Sequence, residues 1–111
     1  MQLFPKEIHH LLPAEVDYEN ENLIAPIKFL SPACGWEWYP CAAKTWGKKD
    51  VLFTGFVIGF EREFGDFTLS QLREFRAERS WHFQPIYLFP LMNEGVYRKV
   101  DVESDVMIFI V

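Results

Sequence analysis

Hydrophobic positions fall into two rhythms along the chain. Residues 5–12 open with Pro5, suited to a first helical turn because its missing N–H needs no partner there. Ile8, Leu11 and Leu12 recur at helical spacing before Pro13, so a short helix is expected. Period-two patterns follow. Ile27 and Phe29 flank Lys28 ahead of Ser31-Pro32, and Trp36-Glu37-Trp38-Tyr39 places both tryptophans on one strand face with Glu37 and Tyr39 on the other. Pro40 cannot donate to a ladder, which puts this strand at an edge or ends it there. The run Val51 to Phe60 is apolar on both faces: Val51, Phe53 and Val57 on one, Leu52, Phe56, Ile58 and Phe60 on the other. Such a strand is covered on both sides and central. Gly55 and Gly59 mark close approach, a bulge or space for facing aromatics.

Glu61-Arg62-Glu63 reads as a turn into a strand from Phe64 to Phe67. Thr68 and Gln71 then form a capping box, with Phe67 and Leu72 as its hydrophobic staple. A helix from Leu69 to about Glu78 is expected, with Leu69, Leu72 and Phe75 facing the core. Trp81 to Tyr87 is extended and amphipathic, and Pro85 and Pro90 argue against a central strand. Asn93-Glu94-Gly95 reads as a turn, Val96 to Val100 and Val106 to Ile110 as strands, and Asp101 to Asp105 as the turn between them. The expected architecture is a single α+β domain over residues 1–111: an antiparallel sheet of about five or six strands, a short N-terminal helix and one capped helix near 69–78.

Composition supports a packed domain. Half of the 111 residues are hydrophobic and 17% aromatic, with 11 Phe and 4 Trp. Each buried aromatic removes about 150–250 Å² from water, so a disordered chain is excluded. The two cysteines, Cys34 and Cys41, are too few for a disulfide scaffold and read as reduced core thiols, which suits a cytoplasmic setting. The first residues show neither a basic nor a long apolar region, so no signal peptide is expected. No apolar run approaches the roughly 18–20 residues of a membrane span. The net charge of −5 disfavours a nucleic-acid surface. The one basic cluster, Lys44, Lys48 and Lys49 with Trp46, sits in a Gly-containing loop and reads as a solvated turn.

With strand, turn and capped helix in place, the stretch from Trp36 to Arg79 resembles a family of small proteins from plasmids, phages and other mobile elements, labelled "plasmid-related protein". The matching residues are Trp36-Glu37-Trp38-Tyr39, then Phe53-Thr54-Gly55-Phe56-Val57-Ile58-Gly59-Phe60-Glu61, then Glu63 through Leu72. Phe4-Pro5-Lys6-Glu7-Ile8, Leu12-Pro13, and Glu78-Arg79 with Phe83 and Pro85 also fit, although Ser80 stands where the pattern continues with an Asp. The resemblance covers roughly residues 3–90. It supplies no catalytic residues and implies a context, a bacterial or phage cytoplasm and an accessory gene.

Candidate chemistry is sparse. His9 and His10 are adjacent, about 100° apart on a helix, and cannot chelate one metal from one face. No Cys-x-x-Cys, His-Glu-x-x-His or Gly-x-Ser-x-Gly spacing is present. No metal or cofactor is expected. The remaining candidates form an acidic and aromatic interaction surface. Glu15, Asp17, Glu19 and Glu21 lie in an acidic loop, Trp36, Trp38 and Tyr39 on one strand, and Glu61, Glu63 and Asp66 around a turn. Aromatics are enriched at interface hot spots, yet same-face alternation favours Trp36 and Trp38 as core. The expected function is a non-enzymatic domain that binds a protein partner, as an inhibitor of a host defence system such as CRISPR or restriction. A small-molecule or enzymatic pocket of Trp36, Trp38, Tyr39 and Phe60 with Glu61 or Glu63 is the alternative. The apolar strand Val106 to Ile110 would be a hazard as a bare edge, which makes homodimerisation through it an option.

Overall fold

The computed structural model describes residues 2–100. The strand expected at Val106 to Ile110, the turn before it and the homodimer built on them lie outside those residues. A 3-10 helix, Lys6–Leu11, opens the fold. The strands are β1 (Ile24–Ala25), β2 (Phe29–Leu30), β3 (Glu37–Trp46), β4 (Asp50–Ile58), β5 (Arg62–Thr68), β6 (Glu78–Arg79), β7 (Ile86–Tyr87) and β8 (Arg98–Lys99). They form two antiparallel sheets, one ordered β5-β4-β3-β2-β6 and one ordered β1-β7-β8. Two helices, α1 (Leu69–Glu74) and α2 (Leu88–Glu94), complete the α+β architecture.

The five-stranded sheet is covered on both faces, as the apolar pattern of β4 demands. Phe53, Phe29, Trp38 and Phe67 pack on one face against Leu69 and Leu72 of α1 and Leu3 and Leu12 of the N-terminal segment. Tyr39, Phe56 and Cys41 pack on the other against Ile86, Leu88 and Leu91 of β7 and α2. Burying one such side chain contributes about 1.5–3 kcal/mol.

Pro40 neither ends β3 nor lies at an edge. It sits inside the strand opposite Gly55, at a bulge where the ladder skips Cys41, and a bulge tolerates a missing donor. Beyond β2, the outer side of β3 is met by the N-terminal chain, where the Ala43 N–H donates to the Pro13 carbonyl at 2.8 Å. Only Arg98–Lys99 of the expected 96–100 strand enters a ladder.

The Thr68 capping box forms as expected: Gln71 N–H donates to Thr68 Oγ1 at 3.2 Å, and Thr68 N–H to Gln71 Oε1 at 2.9 Å. Asp50 reinforces it, accepting from the Ser70 N–H and hydroxyl at 3.1 and 2.6 Å. The helix is shorter than expected. It stops after Glu74 because Arg76 turns left-handed, with φ +55°, and the Ala77 N–H returns to the Leu72 carbonyl at 2.9 Å, a Schellman closure. Helix α2 is absent from the sequence expectations, which place only a turn at Asn93-Glu94-Gly95, where the helix ends. Pro90 lies in its first turn, where a missing N–H costs nothing, and Gly95 ends it at φ +69°.

Candidate functional site

The turn between β4 and β5 brings Phe60, Glu61 and Glu63 beside Trp36. Strand β4 ends at Ile58, earlier than the apolar run, and Gly59 bends the chain so that Phe60 swings out of the sheet. Phe60 is 95% exposed, which corrects its expected place on a covered strand face. Its ring stands edge-to-face with Trp36 at 5.3 Å between centroids. Trp36 is half-buried. It stacks on Phe75 at 4.8 Å and meets Trp38 at 6.0 Å. Trp36, Val57, Gly59, Phe60, Glu61 and Glu63 enclose a cleft of about 210 Å³.

The other candidates are not brought there. Trp38 is 2% exposed and Tyr39 wholly buried, so neither belongs to a surface. They point to opposite faces of β3, one into each core, because adjacent residues of a strand alternate. The pocket expected from Trp36, Trp38, Tyr39 and Phe60 together therefore does not form. Asp66 is at the far end of β5, accepting from the Thr54 hydroxyl at 2.7 Å. The acidic loop is a run of hydrogen-bonded turns: Asp17 accepts from the Glu19 N–H at 3.1 Å and Asn20 from the Asn22 N–H at 2.8 Å. Within that loop, Glu15 pairs with Lys44 at 2.9 Å, and Glu19 and Glu21 are exposed. Glu21 borders a broad depression of about 640 Å³ with Asn22, Tyr87, Phe89, Pro90, Asn93 and Arg98. That depression is larger than the Trp36 cleft but wide open, with none of the aromatic candidates on it.

A second polar constellation escaped sequence reasoning. The Lys28 ammonium pairs with Glu37 Oε1 at 2.7 Å and donates to the Tyr97 hydroxyl at 2.9 Å. The Tyr39 hydroxyl donates to Glu37 at 2.5 Å and also meets the Tyr97 hydroxyl. Burial works against the Lys28 charge, but its bonds to Glu37 and Tyr97 outweigh it and raise its pKa. Burial likewise pushes Glu37 up, and bonds from Lys28 and Tyr39 bring it below the usual carboxylate value. Tyr39 is raised well above an ordinary phenol, by burial first and then by its bonds to Glu37 and Tyr97. The sequence signals were a lysine inside an apolar strand and a glutamate between two tryptophans.

Cys41 is buried, and burial pushes its thiol up to about 11, so it is neutral at ordinary pH. Cys34, expected in the core, is exposed on the turn before β3. His9 stacks on Phe4 at 4.3 Å. Among the described residues no three His, Cys, Asp or Glu side chains come together as metal ligands, and no helix is long and apolar enough to cross a membrane. No protein family, curated protein or solved structure matches the chain.

Proposed function

We propose that the chain is a non-enzymatic protein-interaction domain that docks its partner at the Trp36–Phe60 cleft. One observation carries this reading: Phe60 is almost fully exposed, yet it is held against a supported Trp36. An unsupported aromatic on a flexible loop would lose conformational freedom on binding. One braced by a packed tryptophan has less to lose, which favours its use as an interface anchor. The cleft is smaller than the roughly 300–1,000 Å³ of small-molecule sites, so its size supports docking of a side chain. On the mobile-element resemblance, the partner is a cytoplasmic component of a host defence system, CRISPR or restriction, inhibited by occupation of its surface.

The test is parallel affinity purification of the wild-type chain and Phe60→Ala from the native host. A stoichiometric partner retained by the wild type and lost by the variant is the expected result. Equal recovery by both, or none by either, rules the reading out.

A further inference from the structure

We infer that the cleft is a socket for one arginine side chain of the partner, an inference that rests on the interaction reading above and narrows its chemistry. Size sets the first limit, since about 210 Å³ accommodates a side chain rather than a ligand of drug-like volume. Charge sets the second. Glu61 and Glu63 both line the cleft, and among the described residues neither forms a salt bridge, the two ion pairs being Lys28–Glu37 and Lys44–Glu15. Arg62 lies between them in sequence but is committed to the other face of β5. Its guanidinium donates to the Leu91 carbonyl at 2.9 Å and lies 5.5 Å from the Phe56 ring centre. Alternation along β5 separates Glu63 from Arg62, and the turn supplies Glu61, so two carboxylates stand beside an aromatic hollow with their neighbouring cation turned away.

The aromatic wall selects among cations. Phe60 touches Trp36 through one side and is otherwise open to water. A cation over such a ring is attracted by its quadrupole. A guanidinium is planar, weakly hydrated and fork-shaped, so it can stack on Phe60 while bonding a glutamate in bidentate fashion; an ammonium is more strongly hydrated and cannot fork. This chain uses the same pairing elsewhere, with the Arg79 guanidinium 4.4 Å from the Trp81 ring centre.

A second copy of the chain offers a rival occupant. Exposed Trp46 ends β3, and exposed Lys48 and Lys49 follow in the β3–β4 turn, at the end of β4 opposite the cleft. Lysines match the charge but not the fork.

The experiment titrates N-acetyl-arginine methylamide into the isotope-labelled full chain, followed by NMR at the Trp36 indole N–H and the Gly59 and Glu61 amides. Matched titrations use the lysine and the neutral citrulline analogues. Saturable shifts confined to those signals are expected for arginine, about tenfold weaker for citrulline and severalfold weaker for lysine. Glu61→Gln and Glu63→Gln should each weaken the arginine response severalfold while leaving the rest of the spectrum unchanged. Equal responses to arginine and citrulline, or none at the cleft, overturn the inference. So do probe-free, concentration-dependent shifts at the cleft that the double substitution Lys48→Glu and Lys49→Glu abolishes, since the occupant is then a second copy. If the probes fail but Phe60-dependent capture of a partner persists, the socket is wrong and the interaction reading stands.

Discussion

The Trp36 ring lies over Gly59 so closely that a β-carbon at that glycine would come within 2.7 Å of the ring carbons. Gly59→Ala must therefore lift the tryptophan or bend the turn. The ring is a side chain and can yield, so the cost should be about 1–3 kcal/mol in urea unfolding, with a changed tryptophan emission. Gly55→Ala should cost more. Its β-carbon would run into the Tyr39 carbonyl oxygen and lie 2.6 Å from Pro40 Cα. These are backbone atoms of the neighbouring strand and cannot rotate away. A loss above about 3 kcal/mol is expected, and equal costs for the two substitutions would contradict this account.

The Lys28–Glu37–Tyr39–Tyr97 constellation predicts how stability varies with pH. Glu37 has a folded pKa below its ordinary 4.5, so its contribution is present above that value and lost as pH falls through the folded one. Lys28 is raised above 10.5, and its contribution is complete below that value and lost as pH rises through the folded one. Tyr39 is raised too and adds to the alkaline loss. A plateau between about pH 5 and 10 is expected from these groups. Glu37→Gln should cost roughly 1–3 kcal/mol on that plateau, discounted for the partial exposure of the pair. It should also flatten the acid limb, measured by unfolding midpoints across pH. An unchanged acid limb would remove Glu37 from the explanation.

How much of this was legible beforehand depended on whether the deciding interaction was local. The capping box at Thr68 and Gln71 needs four consecutive residues, and the two-sided burial of β4 shows in its own composition, so both were readable. Pro40 within β3 was not, because the bulge that tolerates it is a property of the pairing with β4. Helix α2 was missed because Pro90 reads as a breaker until its position in the first turn is known. Of the site, residue types and turn were visible. The exposure of Phe60 was not, because it continues the alternation of β4 and only the bend at Gly59 takes it out of the sheet.

Arg76 occupies the left-handed position that closes α1, where glycine is the usual residue. Side-chain loss and backbone strain can be separated by comparing two substitutions that both delete the guanidinium. Arg76→Gly should be more stable than Arg76→Ala by about 1 kcal/mol, because alanine keeps the β-carbon that disfavours φ +55°. Thermal unfolding of the pair measures the difference, and a more stable alanine variant would show that strain at this residue is not what limits the helix.

Phe60 and Trp36 touch each other but should respond oppositely to truncation. Phe60 is 95% exposed, so Phe60→Ala removes little buried area and should change stability by less than about 0.5 kcal/mol. Trp36 packs on Gly59, Trp38 and Phe75, and Trp36→Ala should cost about 2–4 kcal/mol by leaving a void beside the core. If Phe60 serves the partner rather than the fold, its substitution abolishes capture in a protein whose unfolding curve is unchanged. Trp36→Ala loses both together, because the wall that braces Phe60 goes with it. Trp36→Phe retains part of that wall and should recover much of the stability with only partial capture. A Phe60→Ala variant that unfolds several kcal/mol earlier would instead make Phe60 a structural residue, and the cleft would lose its claim as a docking site.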